Sequence, residues 1–308
     1  MKFLKLIRYQ NLLMLAFMQL IFRYGYLKYQ DVYLFLNDFQ YSLLVLSSVL
    51  IAGAGYIIND IMDQETDYDN KPEKIIIGKS ISETMGYNIY FLMNVTGVGI
   101  GFYLANIIQK PSFGGVFIII VTLLYLYATS FKRMLLIGNI IVALLVGLSI
   151  LIIGLFDLLP LTYEVNRSEM GKYFSVLMDF AIFAFVINFI REIVKDMEDV
   201  YGDTNQGMST LPIVIGIKKT NKVIFVLGIM TTVFILLYTN DYFMNSKLYF
   251  LVIYMLIFVI SPLVFFSIKI WNAISKKDYH FLSNVLKWVM FFGILSLGII
   301  TLNMKYRG

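Results

Sequence analysis

The chain has 308 residues, 59% of them hydrophobic and only 15% charged, against about 25% charged in a soluble domain, and its mean hydropathy is +0.77. That composition excludes an ordinary soluble globular protein and makes hydropathy the first thing to read. The absence of cysteine excludes disulfide scaffolds, thiolate metal sites and cysteine nucleophiles, and a net charge of +5 without a basic, aromatic-rich soluble segment gives nucleic-acid binding no support.

Apolar runs long enough to cross a bilayer, about 20 residues each, fall at 7–27, 41–62, 85–108, 113–131, 135–156, 173–195, 221–238, 247–270 and 283–304. Backbone groups in lipid must bond within their own segment, so these runs are predicted helices. None alternates as a transmembrane β-strand does. The expectation is an all-α, polytopic membrane protein with nine transmembrane helices. Nothing divides it: no repeat, linker or low-complexity stretch, hence one domain over 1–308. At the start, Lys2 and Lys5 precede an apolar run, but Arg8, Gln10 and Asn11 interrupt it and no small-residue cleavage site follows. It reads as a retained first span rather than a signal peptide.

The second run ends in Asn59-Asp60-Ile61-Met62-Asp63-Gln64-Glu65-Thr66-Asp67, followed by Asn70, Lys71 and Pro72. Asn59, Asp63 and Asp67 step by four, which puts them on one face of a helix end. Three hard oxygen donors in a row suit Mg²⁺ rather than a soft metal. The fourth run closes on Tyr127, Ser130, Lys132 and Arg133. Cations there can contact phosphate oxygens, or simply anchor a helix end at the membrane surface.

The sixth run carries Arg191-Glu192 and Lys195-Asp196-Met197-Glu198-Asp199, then Asp203. Asn188, Glu192, Asp196, Asp199 and Asp203 step by four, four, three and four, again one helical face. That face begins inside an apolar run, where a carboxylate is expensive and usually functional. Later in the chain, His280 reads as a surface histidine, and Trp271 and Trp288 as interfacial anchors.

Either acidic face alone could be a solvated helix end. The pair is different. Two polar segments, 59–82 and 196–219, are separated by four spans and so open on the same side. So many like charges brought together repel unless a cation sits among them. Mg²⁺ binds readily through carboxylates plus substrate phosphates, so an acidic clamp beside an apolar interior suggests a diphosphate with a lipid tail. Lys and Arg favour, by roughly two to one, an orientation with the N-terminus and both acidic segments cytoplasmic.

These residues resemble the signatures of the UbiA superfamily of membrane prenyltransferases. Asn59-Asp60…Asp63…Asp67 is similar to its NDxxDxxxD motif, and Asp199…Asp203 to its DxxxD motif. The stretch 127–139 resembles its YSxxLK segment followed by GN. Arg8 and Asn11 match its RPxN opening, with Tyr9 in place of proline. The block Lys195–Pro212 is most similar to the branch that builds prenyl ether lipids. Lys195, Asp196, Glu198, Asp199, Gly202, Asp203, Gly207, Thr210, Leu211 and Pro212 match its KDxEDxxGDxxxGxxTLP pattern.

The resemblance implies a nine-helix fold and Mg²⁺ held by Asn59, Asp63, Asp67, Asp196, Asp199 and Asp203. Asp63, Asp67, Asp199 and Asp203 would be the catalytic acids. Substrate contacts would fall to Arg8, Asn11, Lys71, Lys74, Tyr127, Lys132, Arg191 and Lys195. The implied reaction moves an isoprenyl group from a polyprenyl diphosphate to a lipid-soluble acceptor, such as geranylgeranylglyceryl phosphate. The stretch after Asn70 departs from the pattern: KPEKIIIGK stands where arginines and prolines are usual, so Lys71 and Lys74 keep the charge but lose the bidentate fork. That leaves an aromatic, quinone-type acceptor open. In another class, a cation transporter would place its acids near the midplane in broken helices with inverted repeats. A CDP-alcohol phosphotransferase would gather its acids in one stretch.

Overall fold

The computed structural model describes residues 2–70 and 72–305, the side chains of residues 74, 304 and 305 excepted. A short α1 (Lys2–Leu6) precedes α2 (Tyr9–Leu20), which runs on through a π-helical stretch, Ile21–Leu27. Then come α3 (Asp38–Met62), the short α4 (Gln64–Asn70), α5 (Glu83–Ile107), α6 (Gly114–Thr129) and α7 (Ile137–Ile153). They are followed by α8 (Arg167–Asn205), the short α9 (Leu211–Ile215), α10 (Ile217–Tyr238), α11 (Tyr249–Met255), α12 (Ser261–Trp271) and α13 (Lys276–Lys305). Among the described residues there is no strand.

Eight helical stretches between Asp38 and Asn303 are long and apolar enough to cross a membrane. The ninth expected span is the first one. It is helical from Tyr9 to Leu27, but Gln10, Asn11, Gln19 and Arg23 lower its hydropathy. Gln19 and Arg23 are fully buried. Gln19 Nε2 donates to Ser48 Oγ at 3.1 Å and to the Ser149 carbonyl at 3.0 Å. This helix therefore joins its neighbours partly through hydrogen bonds.

Ends and close approaches explain the rest. Asn37 and Gln40 cap α3 reciprocally, each side chain accepting from the other's backbone N–H. Ser82 caps α5 by accepting from the Met85 N–H. Inside the bundle α3 packs on α5, α7 on α8, α8 on α13 and α10 on α12. Lipid offers no hydrophobic drive between helices, so small residues and polar bridges set the contacts. A Cβ at Gly101 would stand 2.2 Å from the Phe117 ring, and one at Gly147 would stand 3.1 Å from the Ala181 carbonyl. Ser47 Oγ donates across α3 and α5 to the Gly97 carbonyl at 2.7 Å.

One expected boundary moves. The polar segment after the sixth span is not a loop at its start: α8 continues as helix through the whole second motif to Asn205. The first motif bends instead at Asp63, which ends α3 with φ −95° and ψ 5°. Hydrogen bonds from the Asp63 N–H to the Asn59 carbonyl (2.9 Å) and from the Asp67 N–H to the Asp63 carbonyl (2.7 Å) carry the four-residue step across that bend.

Candidate active site

The two acidic helix ends meet at one end of the bundle. Asn70, closing α4, bonds twice to α8: its Nδ2 donates to the Asp199 carbonyl at 3.1 Å and its Oδ1 accepts from the Gly202 N–H at 3.0 Å. Glycine at 202 leaves room for this contact, because a Cβ there would stand 2.3 Å from Asn70 Nδ2 and push that side chain aside. Lys276, opening α13, donates to the Asn70 carbonyl at 2.7 Å. Asn205 Nδ2 donates to Asp69 Oδ2 at 3.0 Å on the outer side.

The connection from α6 to α7 lies between the motifs and touches both. Asn59 Nδ2 donates to Asp63 Oδ2 at 2.6 Å, and the Lys132 ammonium contacts the other Asp63 oxygen. Seven residues on, Asn139 Nδ2 donates to Asp196 Oδ2 at 2.8 Å. Gly138 allows this approach, since a Cβ there would lie 2.7 Å from the Lys132 backbone. The Arg133 carbonyl accepts from the Ser209 N–H at 2.9 Å, which ties down the chain after α8. Burial, then the nearby Arg133, pulls the Lys132 ammonium down to about 7, while Asp203 from the second motif and Asp60 from the first pull the other way.

Behind this frame a cavity of about 330 Å³ runs into the bundle. Along α8 its wall extends from Phe180 to Lys195, about 22 Å at 1.5 Å per residue. The deep part is apolar, with Phe117, Ile152, Phe183 and Phe243. The end nearest the motifs is polar, with Arg8, Tyr56, Asn59, Tyr127, Glu192 and Lys195. Arg8 pairs with Asp60 at 3.0 Å and lies 4.8 Å over the Tyr56 ring. Asn11 Nδ2 donates to the Tyr56 hydroxyl at 3.2 Å. Glu192 accepts from Lys195 at 2.6 Å and stands 3.5 Å from Arg191.

Of the expected substrate contacts, Arg8, Asn11, Tyr127, Arg191 and Lys195 line this cavity, and Lys132 sits in the acidic frame. Lys71 lies outside the described residues, as does the Lys74 side chain. Sequence reasoning passed over Tyr56 and Lys287. The signal for Lys287 was present, as a lone cation inside an apolar run. His280 is solvent-facing but not idle: its Nδ1 lies 3.2 Å from Oε1 of the buried Glu198.

Whether the frame suits a metal depends on its donors. Asn59 Oδ1 is buried and has no hydrogen-bond partner among the described residues, and its surroundings supply hard oxygens, the donor type of Mg²⁺. Among the described residues no three His, Asp or Glu side chains form a ready cage, so the six expected ligands are not gathered on one point. Mg²⁺ usually takes one or two carboxylates and completes its shell with phosphate and water. The donors thus fit an ion shared with a substrate phosphate, and Asp63 already faces a cation in Lys132.

Comparison with known proteins identifies the family. A model of the UbiA prenyltransferase family matches residues 31–299. A digeranylgeranylglyceryl phosphate synthase from Methanococcoides burtonii is 30% identical over 96% of this chain and 97% of its own length. A solved digeranylgeranylglyceryl phosphate synthase structure aligns over 97% of both chains with a TM-score of 0.62 at 22% identity. A UbiA homologue from Archaeoglobus fulgidus, solved with GPP and Mg²⁺ bound, covers 96% of this chain and 99% of its own with a TM-score of 0.57 at 13% identity. At these identities the solved structures speak for the fold.

Proposed function

The chain belongs to the UbiA prenyltransferase family and is a membrane-bound prenyltransferase, and on that premise we propose that it transfers a prenyl group from a prenyl diphosphate to a glyceryl phosphate lipid. The observation that carries the reading is the cavity, which joins an acidic, lysine-bearing frame to a long apolar interior. A diphosphate suits the first part and a hydrocarbon chain the second.

Asn59 and Asp63, with Asp67, Asp196, Asp199 and Asp203, are the residues that would hold Mg²⁺; the Archaeoglobus fulgidus homologue solved with GPP and Mg²⁺ supports the use of a metal. Bound there, the ion would supply charge neutralisation to the diphosphate, making it a better leaving group. Lys132 adds a positive charge beside Asp63, and Lys195 adds its own at the cavity end. As the allylic C–O bond breaks, negative charge grows on the departing diphosphate, and these fixed cations stabilise it without reorganisation. The prenyl group left behind is cation-like, and Tyr127 supplies an aromatic ring at the same end. The apolar walls keep water away from it and hold it near the acceptor. The acceptor hydroxyl forms the new C–O bond, and its proton leaves with the diphosphate.

The acceptor assignment is supported by the curated relative's name and by the excess of cations along the cavity, which suits a phosphate better than a neutral phenol. An orientation with the acidic frame on the cytoplasmic side follows from the distribution of Lys and Arg. The test is an assay of purified protein with radiolabelled prenyl diphosphates of several lengths, offering geranylgeranylglyceryl phosphate, 4-hydroxybenzoate and dihydroxynaphthoate in turn. Product on the glyceryl phosphate alone is expected. Product on the aromatic acids alone would replace this acceptor while leaving the donor chemistry intact.

A further inference from the structure

Lys287 is a cation well inside a membrane span. It lies on α13, eleven residues past Lys276, about 16 Å along the helix, and it lines the cavity. A charge at that depth is costly and marks a functional position by default. Its Nζ donates to Asn11 Oδ1 at 2.8 Å, a neutral acceptor, and among the described residues no Asp or Glu stands within ion-pair distance of it.

Arg191 reaches the same wall. Its Nε donates to the Ser283 carbonyl at 3.3 Å, one helical turn before Lys287. Glu192 is the carboxylate beside it, and Glu192 also takes Lys195 at 2.6 Å. This stretch of wall therefore holds three cations, Arg191, Lys195 and Lys287, against one carboxylate. One turn down α8, Asn188 also lines the cavity, and its buried Nδ2 has no acceptor among the described residues. A buried donor left without an acceptor carries a desolvation penalty, and an anion between α8 and α13 would relieve it.

The donor's diphosphate has its own place, beside the acidic frame with Lys132. We propose that Lys287 and Arg191, with the Asn188 amide, form a second anion subsite that takes the phosphate of the lipid acceptor and holds its hydroxyl toward the donor. The proposal rests on the reading above that the acceptor carries a phosphate. Asn11 connects the subsite to the first motif: it bonds Lys287 on one side and the Tyr56 hydroxyl on the other, and Arg8 over the Tyr56 ring pairs with Asp60.

The experiment measures KM for donor and acceptor separately, in wild type, Lys287→Gln, Lys287→Arg and Arg191→Gln. Geranylgeranyl diphosphate is the donor. The acceptors are geranylgeranylglyceryl phosphate and the same glycerol ether without phosphate. Wild type should prefer the phosphate-bearing acceptor. Lys287→Gln should raise that acceptor's KM about tenfold or more, equivalent to about 1.4 kcal/mol, and leave the donor KM nearly unchanged. It should also erase most of the preference over the dephosphorylated ether, and Lys287→Arg should restore it. If Lys287→Gln is not recovered folded, Arg191→Gln carries the same expectation. A rise in donor KM instead, or an undiminished preference in both neutralised variants, overturns the subsite alone. A wild type that ignores the glyceryl phosphate overturns the acceptor reading, and the subsite with it.

Discussion

Arg23 and Asp157 meet 3.5 Å apart with both side chains buried, at the end of the bundle away from the acidic frame. Each sits in a π-helical stretch, Ile21–Leu27 and Gly154–Leu158. Asp157 Oδ1 also accepts from the Leu36 N–H at 2.9 Å, and the Arg23 guanidinium lies 4.3 Å over the Tyr41 ring. Without Asp157 the buried guanidinium keeps only the exposed Asp38, 3.7 Å away, as a counter-charge, and a buried charge stripped of its buried partner is poorly compensated. Asp157→Ala should therefore cost about 3–5 kcal/mol of stability, read as a lower unfolding temperature in detergent. The double variant Arg23→Met/Asp157→Leu should recover most of that loss. An Asp157→Ala protein that melts with wild type would show the pair to be energetically idle.

Asp63→Ala and Asp199→Ala should each lower turnover about 100-fold or more. Asp69, an exposed residue whose partner Asn205 is on the outer side, should tolerate alanine with little effect. Groups that act on one ion and one diphosphate are not additive. The Asp63/Asp199 double variant should be little worse than either single. Losses that add in free energy would speak against a shared site, and an Asp69 variant as inactive as Asp63→Ala would overturn the helical-face assignment.

Turnover should require Mg²⁺ or Mn²⁺. Exhaustive chelation with EDTA is expected to abolish prenyl transfer, and added Mg²⁺ to restore it. Full activity in the chelated enzyme would remove the metal from the mechanism.

Single cysteines at Thr66 and Thr204 report on orientation without background, since the chain has none of its own. Both should react with an impermeant maleimide only from the cytoplasmic side. Reaction of the two positions from opposite sides would contradict the contacts of Asn70 with α8.

Gly202→Ala should displace Asn70, because the new methyl would stand 2.3 Å from its side chain. Activity at limiting Mg²⁺ is expected to fall about tenfold, the effect of losing a contact of about 1.4 kcal/mol. In an Asn70→Ala background the same substitution should do much less, since neighbouring changes share one loss. Equal effects in both backgrounds would mean that the methyl acts elsewhere.

Helix positions and the acidic faces were legible in the sequence because apolar runs and four-residue steps are local patterns. The 2.6 Å bond between Asn59 and Asp63 is the direct outcome of that spacing. Lys132, too, could be placed from its position at the end of the fourth run. The same stepping carried the helical reading of α8 as far as Asp203, whereas its last residues, Thr204 and Asn205, have the composition of a loop. They are helical because Asn70 and the packed motif hold them. Lys287 was missed for a different reason. A lone lysine inside the last apolar run does signal a functional position, but only its bond to Asn11, 276 positions away, says which cavity it serves. Arg23 and Asp157 lie 134 residues apart, so no local pattern could pair them.

The fastening between the two acidic helix ends is a neutral amide. Asn70 grips the Asp199 carbonyl and the Gly202 N–H, both backbone atoms, and takes no part in the ionic traffic a few ångströms away. In the proposed cycle the electrostatics of this mouth would swing repeatedly, as a multiply charged substrate arrives, splits and departs. A lysine or aspartate in the same position would tighten in one state and loosen in the next. An uncharged clasp holds the seam at constant tension through all of them, so the site meets each new substrate already in shape.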